Sequence, residues 1–126
     1  MSDSSTFVHL HVHSEFSLLD GAIQTKRLLD KCRSLGHSAV AVTDHGNMFG
    51  AVQFFDQATK AGIKPVIGCE VYVAPGDRTD KTSSSNGGPS AHHLILLVMN
   101  EEGYKNLLMI ISSCLIMDKP EKSCES

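Results

Sequence analysis

No tryptophan occurs in this 126-residue chain, and only two tyrosines, five phenylalanines and four prolines do. With 41% apolar residues, 20% charged residues and mean hydropathy of −0.06, the composition is that of an ordinary soluble α/β protein, neither disordered nor fibrous. No apolar run approaches the ~20 residues a membrane span needs. The opening MSDSSTF lacks a basic stretch followed by an apolar one, so no signal peptide is read and a cytoplasmic location is expected. The four cysteines, Cys32, Cys69, Cys114 and Cys124, show no Cys-x-x-Cys spacing, which excludes a thiolate metal cage; Cys32 and Cys69 read as buried, reduced thiols. Eleven basic against 14 acidic residues, with pI near 6.1, exclude a basic surface as the sole means of holding nucleic acid. Neither a Gly-x-Ser-x-Gly elbow nor a Walker-type or dinucleotide-type glycine loop is present, so covalent serine catalysis and those nucleotide sites lack support. The length allows one domain at most.

What is present alternates between strand and helix signals. Residues 7–13 (FVHLHVH) alternate strictly and predict a strand. Leu28, Cys32 and Leu35 form a helical stripe over 24–35, with Gly36 as its stop. Residues 38–43 (SAVAVT) predict a strand buried on both faces. Ala51, Phe55 and Ala58 mark a helix over 48–61 that Gly62 ends. Strands are predicted again over 64–73 and 93–99, and Asn100 can cap a last helix with Tyr104, Leu107, Leu108 and Ile111 on its apolar stripe. This order predicts an α/β fold with parallel pairing and right-handed crossovers, about four strands and three helices. Residues 75–91, rich in serine, glycine and asparagine, read as a flexible loop inserted into it.

Seven histidines are the unusual entry, and most are grouped. His9, His11 and His13 alternate, so a strand would send all three to one face, ~7 Å apart. Such a face is not an ordinary apolar core; it is either solvated or a metal site, and the His11-x-His13 pair favours metal. Asp20 lies in SLLDG, where a turn or N-cap role competes. Asp44 and His45 end the second strand, where α/β proteins carry their chemistry; Asp44 or Asn47 could equally cap the next helix, a role that can coexist with metal binding. Glu70 sits in an apolar strand, which is costly unless the carboxylate is paired or bound to a metal. Of His92 and His93, adjacent on a strand, at most one can join the cluster. A parallel fourth strand would put both at the wrong end. Mixed imidazoles and carboxylates suit Zn²⁺, Mn²⁺ or Fe²⁺ better than Ca²⁺, and six candidate ligands exceed the four of one closed zinc site, so more than one ion is expected.

The runs HLHVHSEFSLLDG (9–21), AVAVTDHGNMFGAVQFF (39–55), AGIKPVIGCEVYVAP (61–75) and HHLILLVMNEEGYKNLL (92–108) resemble the PHP (polymerase and histidinol phosphatase) domain. More narrowly, they are similar to the PHP domains that begin the alpha subunits of bacterial replicative DNA polymerases. The resemblance covers about residues 6–109. It implies a distorted TIM-like barrel of seven βα units, partial in this chain, with a centre of two to three divalent ions (Zn, Mn, or Mg/Fe). Residue by residue, it assigns ligand positions to His11, His13, Asp20, His45, Glu70 and His93. His9, Asp44 and His92 match none of these positions, and His9 and Asp44 are left as supporting candidates.

After its last helix the chain departs from the family pattern, running ISSCLIMDKPEKSCES without the later ligands that the family carries. The resemblance therefore implies a partial PHP domain over 1–110 and a divergent tail over 111–126, in a fragment catalytically incomplete by itself. The implied parent activity is DNA synthesis, with a metal-dependent phosphoesterase or 3′–5′ exonuclease site in the PHP domain. DNA and other replisome subunits are partners through that parent. A stand-alone phosphoesterase and a non-catalytic scaffold module are the competing expectations.

Overall fold

A computed structural model describes residues 7–77 and 91–116, without the side chains of 115 and 116. Six elements follow in the order α1 (Thr25–Ser34), β1 (Ala39–His45), α2 (Ala51–Lys60), β2 (Lys64–Val73), β3 (His92–Leu97) and α3 (Glu101–Ile116). The strands form one sheet of order β1-β2-β3. β1 and β2 are parallel, as α2 crossing between them requires. β3 runs antiparallel to β2. The expectation of uniformly parallel pairing thus fails at β3, and that reversal brings the start of β3 to the ends of β1 and β2.

Residues 7–13 are not a strand, although they lie beside β1. The amide of Ala41 donates to His9 O and that of Thr43 to Val12 O, each at 2.8 Å. Two steps along β1 therefore match three along the neighbouring segment, and no regular ladder can form. Thr43 fills the gap, its Oγ1 accepting the Val12 amide at 3.1 Å. Sequence alternation alone cannot show such a slip. The described residues hold three strands rather than four.

Both inter-element helices end as their glycines foretell. Gly36 and Gly62 have φ of 70° and 71°. At α1 the His37 amide donates to Cys32 O and the Gly36 amide to Arg33 O; at α2 the Ile63 amide donates to Ala58 O and the Gly62 amide to Thr59 O. These paired bonds satisfy carbonyls that a helix end otherwise leaves orphaned. Asn100 caps α3 as expected, its Oδ1 accepting the Gly103 amide at 2.8 Å.

Side chains at alternate positions of β1 and β2 reach opposite faces. Val40, Val42 and Ile67 pack with Leu29, Cys32, Phe54, Ala58 and Ile63 under α1 and α2. Cys69, Val71 and Leu96 pack under Leu107 and Ile111 of α3. The helical stripes are rotated slightly from expectation. Phe54, not Phe55, is the buried aromatic of α2, and Leu29 rather than Leu35 is buried with Cys32 in α1. Phe55 instead lines an open apolar groove with Val52, Met99 and Tyr104. Leu35 has passed the helix end and is exposed.

Cys32 and Cys69 are buried free thiols, as expected. Burial above all pushes the Cys69 thiol up to about 11, which keeps it protonated and inert. No helix among the described residues is long and apolar enough to cross a membrane. Residues 78–90 of the expected loop and 117–126 of the expected tail lie outside the described residues. The expected boundary at residue 110 falls inside α3.

Candidate metal centre

His45 at the end of β1 pairs in register with Glu70 of β2. Across β2 and β3, Glu70 pairs with Ile95 and Tyr72 with His93. Paired residues share a face, so His45, Glu70, Tyr72 and His93 all leave the side of the sheet opposite the helices. The segment beside β1 adds His11 and His13 from its own end. Strand register thus brings three of the six expected ligands, His45, Glu70 and His93, together, the slipped segment beside β1 brings His11 and His13 to them, and the antiparallel β3 resolves the difficulty that sequence reasoning found with His93.

Asp20 arrives differently, on a tight loop over Ser14–Gly21. Within it Ser17 N donates to Ser14 O (3.0 Å), and Asp20 N and Gly21 N both donate to Ser17 O (3.1 and 2.7 Å). Gly21 comes so close to the Ser14 carbonyl that a Cβ there would sit 1.8 Å from its oxygen. Asp44 anchors this loop. Its Oδ1 accepts from Ser14 N (2.6 Å) and Ser17 Oγ (2.7 Å), and its Oδ2 accepts from Ser14 Oγ (2.7 Å). The Ser17 hydroxyl also accepts the His45 amide at 3.2 Å. Asp44 caps no helix; the residue before α2 is Gly50, without a side-chain cap. Asp20 likewise caps nothing, since Gln24 occupies that position of α1.

Glu70 is the centre of the cluster and only 2% exposed. Its Oε2 lies 2.7 Å from both His11 Nε2 and His13 Nε2, which are 3.0 Å from each other. Its Oε1 meets His93 Nδ1 and lies 3.4 Å from His45 Nδ1. Asp20 Oδ2 is 2.9 Å from His45 Nε2 and 3.8 Å from His13 Nδ1. Three overlapping triads result: His11–His13–Glu70, His13–Asp20–His45 and His45–Glu70–His93, each with donor atoms within 4.8 Å of one another. His13, His45 and Glu70 each belong to two of them. Tetrahedral ligands at ~2.1 Å from one ion stand about 3.4 Å apart; His45 with Glu70 and His13 with Asp20 stand near that spacing at 3.4 and 3.8 Å, and the other pairs are at hydrogen-bond distance.

Burial alone would raise the Glu70 pKa, but contacts with His11, His13 and His93, and the charge of His45, outweigh it and hold the carboxyl at about 2. A folded-state pKa below the ordinary 4.5 stabilises the fold fully above about pH 4.5 and loses that contribution as pH falls towards 2. In chelator, urea midpoints measured from pH 5 to 2 are therefore expected to fall more steeply for the parent than for Glu70→Gln. Equal slopes contradict this.

The remaining candidates lie elsewhere. His9 packs against Phe7 (4.7 Å between ring centroids) and His37 (5.5 Å), not against the cluster. The slip against β1 breaks the alternation that would have aligned it. His92 starts β3 exposed, in register with Val73. Sequence reasoning missed Ser14 and Ser17, which nothing in their spacing marks. It also missed Tyr72, which the period of two places on the face of Glu70.

The sequence pattern of the PHP domain matches residues 9–125. The chain belongs to the PHP domain family. Similar curated proteins in this family setting are DNA polymerase III alpha subunits. That of Treponema pallidum is 52% identical over 88% of this chain and 9% of its own length, and that of Borreliella burgdorferi 51% identical over 89% and 10%. The chain thus spans about a tenth of the length of these relatives. Among solved structures, an amidohydrolase from Chromobacterium violaceum superposes with TM-score 0.60 at 24% identity, covering 84% of this chain and 32% of that one. A Bifidobacterium adolescentis protein named as a metal-dependent phosphoesterase superposes with TM-score 0.54 at 20% identity, covering 81% and 32%. The PHP chain described here has the α/β fold of these larger domains in part.

Proposed function

We propose that this chain is the PHP portion of a bacterial replicative DNA polymerase alpha subunit, and that its histidine–carboxylate cluster binds divalent ions and supplies part of a site that, in the complete subunit, acts on phosphodiesters in the manner of a 3′–5′ exonuclease. The observation that carries the metal reading is the buried Glu70 carboxylate, with imidazole nitrogens of His11 and His13, of His45 and of His93, on three separate chain segments, converging on its two oxygens. The polymerase reading rests on identities of 51–52% over nearly nine-tenths of the chain.

His11, His13, Asp20, His45, Glu70 and His93 would hold two to three ions of Zn²⁺, Mn²⁺, Fe²⁺ or Mg²⁺. When bound, paired ions supply a water of lowered pKa and positive charge for the attacking and leaving oxygens of a phosphodiester. The chain's own residues do the positioning. Glu70, ionised and fixed by burial, offers one oxygen to the His11–His13 side and the other to the His45–His93 side. Asp44 holds the loop that carries Asp20 against β1. His11 and His93 are more than half exposed and form the open rim where a DNA end would enter. Cluster chemistry also gives an acidic chain the local positive charge that phosphate binding needs. DNA and other replisome subunits are the partners on this reading. Template-directed synthesis belongs to the greater part of the relatives' length, which this chain does not match.

Equilibrium dialysis against Zn²⁺ or Mn²⁺, with metal counted by elemental mass spectrometry, tests the metal reading. Two or more ions per chain are expected, removable by chelator, and fewer than one overturns it. Phosphodiester recognition is tested with a fluorescent single-stranded oligonucleotide bearing a free 3′ end. Binding is expected only with the metal-loaded chain, and equal binding in chelator overturns that part.

A further inference from the structure

Tyr72 touches the cluster without belonging to any of its triads. It follows Glu70 by two residues on β2 and stands directly across from His93 on β3. Its hydroxyl lies 3.2 Å from His45 Nδ1. Its ring stands edge-on to His93, with centroids 4.9 Å apart and planes at 86°, and nearly parallel to His45, at 6.3 Å and 9°. The phenol thus makes a triangle of rings with two imidazoles from different strands, themselves 6.1 Å apart, while half of its surface faces solvent.

We infer that Tyr72 is a positioning residue of the metal centre, its phenol oxygen accepting the Nδ1–H of His45 and so aiming His45 Nε2 at the ion shared with His13 and Asp20. This rests on the metal reading proposed above. Proton placement on the His45 ring decides the pairing. His45 Nε2 faces Asp20 at 2.9 Å and belongs to the triad of His13 and Asp20. An imidazole that gives Nε2 to a metal carries its one proton on Nδ1, and metal-bound histidines commonly donate that proton to a fixed acceptor. Two acceptors face it. Glu70 Oε1 is farther, at 3.4 Å, and already engages His93. The Tyr72 oxygen is nearer and carries no competing partner among these rings. Its own O–H remains free to donate towards solvent or a bound phosphate oxygen.

Tyr72→Phe removes only the oxygen and keeps the ring against His93. In the 126-residue chain loaded with Co²⁺, it is expected to weaken one class of ion by about 10-fold or more and leave the others unchanged. The visible Co²⁺ absorption should change in the same step, and thermal unfolding of the metal-free variant should match the parent. Tyr72→Ala should show the same loss, plus whatever the ring contributes at His93. Parental affinity and an unchanged Co²⁺ spectrum in Tyr72→Phe overturn the inference while leaving the metal reading intact. A drop in metal-free stability equal to the loss in binding also overturns it, by showing a structural role. Failure of the parent chain to bind any ion overturns both.

Discussion

Glu70→Gln is expected to lose metal binding by more than the roughly 10–100-fold that removal of a supporting partner costs, because Glu70 is shared by two of the three triads. Glutamine fits the same buried space, so the change isolates charge and donor chemistry from packing. One acceptor oxygen becomes an NH₂ group whose hydrogens face ring nitrogens that must themselves be free to ligate. The remaining amide oxygen is neutral and would hold a divalent ion more weakly than a carboxylate oxygen. Competition against a chromophoric chelator measures this directly. Retention of parental affinity for every ion by a folded Glu70→Gln chain would show that the cluster does not centre on this residue.

Asp44→Ala is expected to be the most destabilising single change near the site, at about 3–5 kcal/mol. Asp44 is 3% exposed and takes three hydrogen bonds from Ser14 and Ser17. Removing it leaves the Ser14 amide and two serine hydroxyls without acceptors in a buried pocket, and each such group costs roughly 1–3 kcal/mol. The Ser14–Gly21 loop then loses its hold on β1, so ions contacting Asp20 should bind more weakly while the His11–His13–Glu70 group is less affected. Ser17→Ala removes one of these donors and should cost less, about 1–2 kcal/mol. Urea unfolding of the metal-free chains gives the stabilities, and calorimetric titration gives the binding. An Asp44→Ala chain as stable as Ser17→Ala would show that the clamp contributes nothing beyond one hydroxyl.

The histidines and Glu70 were legible because their types conflict with their surroundings. Three imidazoles in alternation, and a carboxylate in an apolar strand, are costly placements that a sequence keeps only with a partner. Helix stops were legible for a similar local reason, since Gly36 and Gly62 supply the positive φ that their paired C-terminal bonds require. The direction of β3 was not legible. It depends on which neighbour pairs with a strand, and no local signal in residues 92–97 carries that. The strand predicted over 7–13 failed because its alternation is real while its hydrogen bonding is not: the Thr43 hydroxyl replaces a carbonyl, and the slip that follows sends His9 away. For Asp44 a helix cap and a supporting role at the site are both open in the sequence, and the three hydrogen bonds from Ser14 and Ser17 exclude the cap. A capping aspartate and one that clamps a preceding loop look alike until the fold shows which amides approach.

Anomalous X-ray scattering from a crystal of the chain grown with Zn²⁺ or Mn²⁺ tests the central claim most directly. Two or more peaks are expected between the Glu70 carboxylate and the rings of His11, His13, His45 and His93, at about 2.0–2.2 Å from the nearest nitrogen and oxygen atoms. A metal-loaded chain whose peaks lie elsewhere, with Glu70 still bonded directly to the imidazoles, would contradict it.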